Sequence, residues 1–287
     1  MIASGYNDTK KRGECPYRRR KVISDLVEEY EPDVVLFQEF KWKGIKKKTW
    51  AETPIPDMYE YAGHKEASIM YNTDVLNVGT PSSDYIDKTV RCLQRKSNTR
   101  LGKSNTRLGK TLPLNFLPIP RMTIRKVKTK DDSFECIFVS WHGPNSGEWN
   151  SDREKIEYFD YFMEFMRVLQ EKNNWSMIIG GDFNIELAKI KATVTSPFKI
   201  HEYRPLKRRR KLIDYIITTT DLKLVELRWI DMDKDTRAKN PKAVLNHDPL
   251  IATIRLEKRT DTVETKLHSS SRTVSSRSYE WPAVRFE

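Results

Sequence analysis

Apolar residues fall along this chain in short runs, and run after run ends on a polar side chain. Val34 to Phe37 is a continuous apolar run of strand length that delivers Gln38 and Glu39 to its end; such a run is expected in a strand buried on both faces. Ahead of it, Val22, Ile23, Leu26, Val27 and Tyr30 recur at helical spacing, predicting a helix from Tyr17 to Tyr30 that stops at Pro32. Ile2 to Tyr6 reads as a first strand ending at Asn7, and Ser68–Tyr71 and Val75–Val78 as short strands joined by an Asn72-Thr73-Asp74 turn. Arg121 to Lys128 is expected to be a strand with one wet face, and Phe134 to Trp141 a more apolar one ending in His142-Gly143-Pro144-Asn145.

The second half repeats the theme. Ser151 and Glu154 have capping-box spacing at the head of a helix whose apolar stripe (Ile156, Phe159, Phe162, Met163, Met166, Leu169) runs to about Asn173. Ser176 to Ile179 reads as a buried strand stopped by Gly180-Gly181, after which Asp182 and Asn184 follow at the sheet edge. Leu212 to Ile217 is an apolar strand interrupted by Asp214, a carboxylate that is costly there unless it is paired or liganded. Leu222–Ile230 is a further strand, and Leu245-Asn246-His247-Asp248-Pro249 leads into a last one from Leu250.

No stretch reaches the roughly 18 apolar residues of a membrane span, and Met1 to Asn7, followed by charge, show no apolar h-region, so a secretory leader is not expected. Cys15, Cys92 and Cys136 are too widely spaced for a zinc site, and their odd number does not suggest a disulfide framework. A soluble intracellular monomer, nuclear or cytoplasmic, is the expectation. The formal net charge of +12 is clustered, at 10–12, 18–21, 46–48 and 207–211, which points to a polyanionic partner such as nucleic acid. Lys96 to Gly102 is repeated residue for residue by Lys103 to Gly109, in a segment (91–112) expected to be a mobile loop; beyond Leu256, residues 257–287 lack periodicity and read as a disordered tail.

Gly-Gly-Asp-x-Asn on its own is an ordinary turn. Its company changes the reading: Asn7, Glu39, His142, Asn145, Asp182, Asn184, Asp214 and His247 all lie in or at the end of strand-like runs. Carboxylates and carboxamides without cysteine suit a hard cation such as Mg²⁺, and histidines with acids nearby suit proton transfer or phosphate binding. In this order, Asn7, Gln38-Glu39, His142-Gly-Pro-Asn145, Gly181-Asp182-Phe183-Asn184, Ile213-Asp214-Tyr215 and Asn246-His247-Asp248-Pro249 resemble the endonuclease/exonuclease/phosphatase superfamily, its deoxyribonuclease I-like and abasic endonuclease-like branches in particular.

The resemblance covers about residues 1–256. It implies an α/β fold, a four-layer sandwich of two mixed β-sheets packed face to face and flanked by helices. It also implies a Mg²⁺-dependent phosphodiesterase acting on nucleic acid, endonuclease-type with DNA favoured, in which Mn²⁺ could substitute. Matched residue by residue, Glu39 would ligate the metal with Asn7 in support. Asp182 would orient or deprotonate the attacking water, Asn184 would hold a phosphate oxygen, and His247 would bind the phosphate with Asp214 orienting it. His142 would assist the leaving group, at a position that is tyrosine in abasic endonucleases, and Asn145, Arg121 and Asn246 would contact substrate. The family's usual Ser-Asp-His-x-Pro ending departs here: Leu245 and Asn246 stand at the first two positions, and Asp248 is the carboxylate available to compensate. Other readings of the same residues are a nuclease-like module that binds nucleic acid or protein without catalysis, and a phosphoinositide or tyrosyl-adduct phosphohydrolase.

Overall fold

The structure is a computed structural model describing residues 1–4, 15–40, 55–64, 66–81, 86, 121–144, 151–202, 212–232, 245 and 247–256. Asn7, Asn145, Asn246, the repeat segment and the tail lie outside the described residues. Among the described residues, twelve strands form two six-stranded sheets. The first sheet orders its strands β11 (Leu222–Trp229), β12 (Leu250–Leu256), β1 (Ile2–Ser4), β2 (Val34–Gln38), β4 (Ala67–Asn72) and β3 (Tyr59–Gly63). The second orders β5 (Leu76–Gly79), β6 (Met122–Thr129), β7 (Glu135–His142), β8 (Met177–Asp182), β10 (Asp214–Thr219) and β9 (Phe198–His201). Both are mixed: β1 runs parallel to β2, and β7 parallel to β8, among antiparallel neighbours.

Three apolar clusters define four layers. Helix α1 (Cys15–Tyr30) lays Val22, Ile23, Leu26 and Val27 on Val35, Phe37 and Met70, the outer face of the first sheet. Helix α2 (Asp152–Asn173) covers the outer face of the second sheet, where Trp141 stacks on Phe162 at 3.9 Å between ring centroids. Between the sheets lie Ile2, Leu36, Ile69, Phe138, Ile178, Ile216 and Leu250. The expected cap holds, since the Ser151 side chain accepts from the Glu154 amide at the head of α2.

The structure departs from the sequence reading in three places. Gly180 and Gly181 do not stop β8: the strand runs through Asp182, because Gly180, Gly181 and Asp182 pair with Ser140, Trp141 and His142. Asp214 is the first residue of β10 rather than an interruption within it. The expected turn after Asn72 is present, and it carries the chain from β4 in the first sheet to β5 in the second. Strands β3 and β9 and the short helix α3 (Leu187–Ile190) were not legible: β3 and β9 are brief edge strands with only one buried residue each, and α3 is a single turn.

On β9, half-buried His201 meets the Thr218 hydroxyl at 2.7 Å through Nε2. Burial, with Lys199 nearby, lowers its pKa to about 4. The neutral ring is therefore favoured in the folded chain. Below the ordinary value near 6.5 the unfolded chain takes up a proton that the folded chain refuses. That contribution to stability is complete above pH 6.5 and is lost as pH falls from there towards 4. Thermal melts across this window should show the loss, and His201→Gln should make the curve shallower.

Candidate active site

Side chains along a strand alternate between faces, and this parity builds the site. On β7, Phe138 faces the layer between the sheets, as do Ile178 on β8 and Ile216 on β10. Stepping by two towards one end of the sandwich gives Ser140 then His142, Gly180 then Asp182, and Asp214. On β2 the inward series Val34, Leu36 ends in Gln38. The apolar layer between the sheets thus becomes polar at one rim, at the last residues of β2, β7 and β8 and at the first residue of the antiparallel β10.

Registry brings the rim together. His142 is opposite Asp182 across β7 and β8, and Asp214 opposite Asp182 across β8 and β10. His247, just ahead of β12, places Nδ1 2.9 Å from Asp214 Oδ2 and 3.6 Å from Asp182 Oδ2. Burial alone would disfavour the imidazolium, but the charge and hydrogen bond of Asp214, with the charges of Asp182 and Glu39, outweigh it and raise the His247 pKa to about 10. At neutral pH His247 is a cation held between two aspartates. Asp182 is itself raised, by burial first and by the Asp214 charge second, even with that cation beside it.

Glu39 lies one residue beyond β2 in a left-handed conformation, φ 53°, and Asn184 has the same φ of 53°. For a glutamate that costs about 1–2 kcal/mol, and strain of this kind collects at functional positions. The Glu39 amide donates to the Glu66 carbonyl, so two glutamates lie together at the same sheet end. Both face His142: Glu66 Oε2 is 3.0 Å from Nδ1, and Glu39 Oε1 is 3.8 Å from Nε2. Burial lowers the His142 pKa more than the glutamates raise it, and Arg121 adds to the lowering. The resting ring is neutral, with Nδ1 turned to Glu66. Arg121 Nη1 donates to the Gly143 carbonyl at 3.1 Å and approaches His142 Nδ1 at 3.5 Å. Asn184 donates through Nδ2 to the same carbonyl at 3.0 Å, while its amide donates to Asp182 Oδ1 at 2.9 Å.

Glu39, His142, Asp182, Asn184, Asp214, His247 and Arg121 are thus drawn to one rim. Asp248 Oδ1 accepts from the Met232 amide at 3.1 Å. Glu66 was missed. It precedes a strand whose neighbour β3 was itself not legible, and it meets His142 across 76 residues of sequence. Its only signal was an acid at the head of a short apolar run.

Asp182, Asp214 and His247 offer ligand atoms all within 4.8 Å of one another, the one such group among the described residues. A divalent cation fits this rim chemically. Asp182 remains hard to ionise beside Asp214 and Glu39 even with an imidazolium present, so the carboxylates carry more negative charge than the rim neutralises, and their oxygens are donors for a hard cation.

The chain belongs to the Endonuclease/Exonuclease/phosphatase family, whose sequence profile matches residues 7–232. Members of this family are hydrolases acting on phosphoester bonds and generally use divalent metal ions. Among solved structures, an endonuclease/exonuclease/phosphatase from Bacteroides vulgatus matches with a TM-score of 0.55 at 18% identity, over 89% of this chain and 98% of that one. D. rerio TDP2 complexed with a single-strand DNA product matches at 0.50 and 12% identity, over 88% and 98%. A mannosyl-6-phosphatase from Bacteroides thetaiotaomicron matches at 0.51 and 19% identity, over 80% and 88%. These likenesses are of fold. No curated protein sequence matches. No helix among the described residues is long and apolar enough to cross a membrane.

Proposed function

We propose that this protein is a metal-dependent phosphodiesterase that hydrolyses nucleic acid, with DNA the favoured substrate. The observation that carries the reading is the pair of oriented histidines at the rim: His247 held as a cation by Asp214, and His142 kept neutral by burial and oriented by Glu66, with Asp182 in register between His142 and Asp214. A phosphodiester needs positive charge on its equatorial oxygens, a base for the attacking water and an acid for the departing oxygen; the rim has one group for each. His247 supplies the charge. Asp182, its pKa raised towards neutrality, takes the proton of the attacking water. His142, neutral at rest, takes up a proton from solvent at Nε2 and, because its pKa is lowered, passes it readily to the leaving oxygen, with Glu66 holding the ring through Nδ1. Asn184 and Arg121 fix the Gly143 carbonyl between these groups and line the phosphate, with Asn145 and Asn246 further along the substrate.

Glu39, with Asn7, is the proposed seat of Mg²⁺, and Mn²⁺ would serve. When bound, the cation offsets charge on the phosphate as it grows. The Asp182–Asp214–His247 trio is better read as a phosphate clamp than as a cation cage, because the His247 Nδ1 that would be a ligand carries the proton shared with Asp214. The net charge of +12 favours a polyanion over a small phosphate ester.

The test is hydrolysis of supercoiled plasmid, single-stranded DNA, single-stranded RNA, a 5′-phosphotyrosyl oligonucleotide and a sugar phosphomonoester, each with Mg²⁺, Mn²⁺ or EDTA. Cutting of the nucleic acids that EDTA abolishes is the expected result. Turnover of the phosphomonoester alone would replace this reading with a phosphatase. Salt-sensitive DNA binding without any turnover would replace it with a binding module.

A further inference from the structure

Immediately below the rim, a polar bridge crosses the apolar layer between the sheets. Gln38 and Ser140 have no exposed surface at all. The Ser140 hydroxyl donates to the Phe37 carbonyl at 2.9 Å and accepts from Gln38 Nε2 at 2.9 Å. The two residues are 102 positions apart in sequence and belong to different sheets. Around them the layer is Leu36, Ile2, Phe138 and Ile178. An amide and a hydroxyl buried there are costly unless bonded to each other, and apolar side chains of similar size would fill the same space without that demand.

The bridge has a particular address. Glu39 follows Gln38 by one residue, in its left-handed conformation, and His142 follows Ser140 by two. The Gln38 amide also lies against bare backbone: a Cβ on Gly181 would be 3.1 Å from its Nε2. Asp182 is the next residue. The amide therefore touches, within one or two residues, the strand ends that carry Glu39, His142 and Asp182.

We infer that Gln38 and Ser140 are positioning residues that set the gap across the rim between Glu39 on the first sheet and His142 and Asp182 on the second. The inference rests on the hydrolase reading. Each member orients the other and fixes a backbone group: Ser140 is anchored on the Phe37 carbonyl, one peptide before Gln38, so the strand ends cannot slide past each other without breaking both bonds. Groups that orient a metal or reacting centre from behind typically cost 10- to 100-fold in affinity or activity when removed.

The test compares wild type with Gln38→Met, which keeps the length and loses the donor, with Ser140→Ala, and with the double variant. Turnover with Mg²⁺, Mn²⁺ affinity by calorimetry and melting temperature are measured on each. Each single variant should lower kcat about tenfold or more with little change in KM, and weaken Mn²⁺ binding by a similar factor. The double variant should fall no further than the worse single, as expected of groups acting as one unit. Should Gln38→Met fail to fold, Ser140→Ala decides by the same two readouts. Variants that keep wild-type kcat and Mn²⁺ affinity, whatever their melting temperature, overturn the inference and leave the hydrolase reading standing. A wild-type chain that neither binds Mn²⁺ nor hydrolyses any substrate overturns both.

Discussion

Asp182→Asn should lower Mg²⁺-dependent turnover about a thousandfold, within the range for loss of a positioned base, and should at the same time make the metal-free protein harder to unfold. The substitution is nearly silent sterically. An asparagine oxygen can still accept the Asn184 amide that Asp182 Oδ1 accepts at 2.9 Å. What disappears is a buried negative charge. The Asp182 pKa is raised because burial and the Asp214 carboxylate outweigh His247. Its ionised form is therefore less favourable in the folded chain than in the unfolded one; the penalty builds as pH rises from the ordinary carboxylate range towards that raised pKa and is complete above it. Removing it should add about 1 kcal/mol of stability, a common gain when a functional strain is relieved. Melts at pH 8 in EDTA, beside turnover in Mg²⁺, check both halves. An Asn variant that melts below wild type and still cuts would show that Asp182 is an ordinary structural carboxylate.

Gly181→Ala is expected to be the most damaging single-methyl change described here. Its Cβ would lie 1.8 Å from the Trp141 carbonyl oxygen. That oxygen is backbone, held in the parallel β7–β8 ladder and backed by the Trp141 ring stacked on Phe162 and Tyr158, so no side-chain rotation relieves the overlap. A cost of about 3 kcal/mol, the upper end for overpacking a tight core, would lower the melting temperature by about 6–12 °C for a domain of this size. Gly79→Ala is the matched control, since a Cβ there meets nothing within 4 Å and should change stability by no more than about 0.5 kcal/mol. Equal melting temperatures for the two variants would contradict the close approach of β7 and β8 at this point.

The polar ends of the strands were readable because chain alternation and burial are local properties. Phe134 to His142 and Val34 to Glu39 announce a buried strand and what it delivers without reference to the rest of the fold. The glycines misled for the same reason. Gly180-Gly181 looks like a stop when only neighbours in sequence are considered, whereas its meaning is the Trp141 carbonyl and the Gln38 amide pressed against it from two other strands. Glu66 was not legible from its neighbours in sequence, since the side chain it meets, His142, lies 76 residues away. The Gln38–Ser140 bridge is of the same kind, with each member unremarkable alone.

The strand orders also bear on how the chain reaches this state. Strands β5 to β10, from Leu76 to Thr219, are consecutive and make up the whole of the second sheet. The first sheet takes β1 to β4 from one end of the chain and β11 and β12 from the other, with β1 seated directly between β12 and β2. During synthesis the second sheet can assemble as it emerges, while the first waits with β1 exposed along one edge until Leu250 to Leu256 arrive to close it. His247 comes in with that closing strand. The rim is therefore the last part of the molecule to be completed, and a nascent or truncated chain lacking β12 would carry an open, unpaired strand edge, the kind of surface on which misassembly begins.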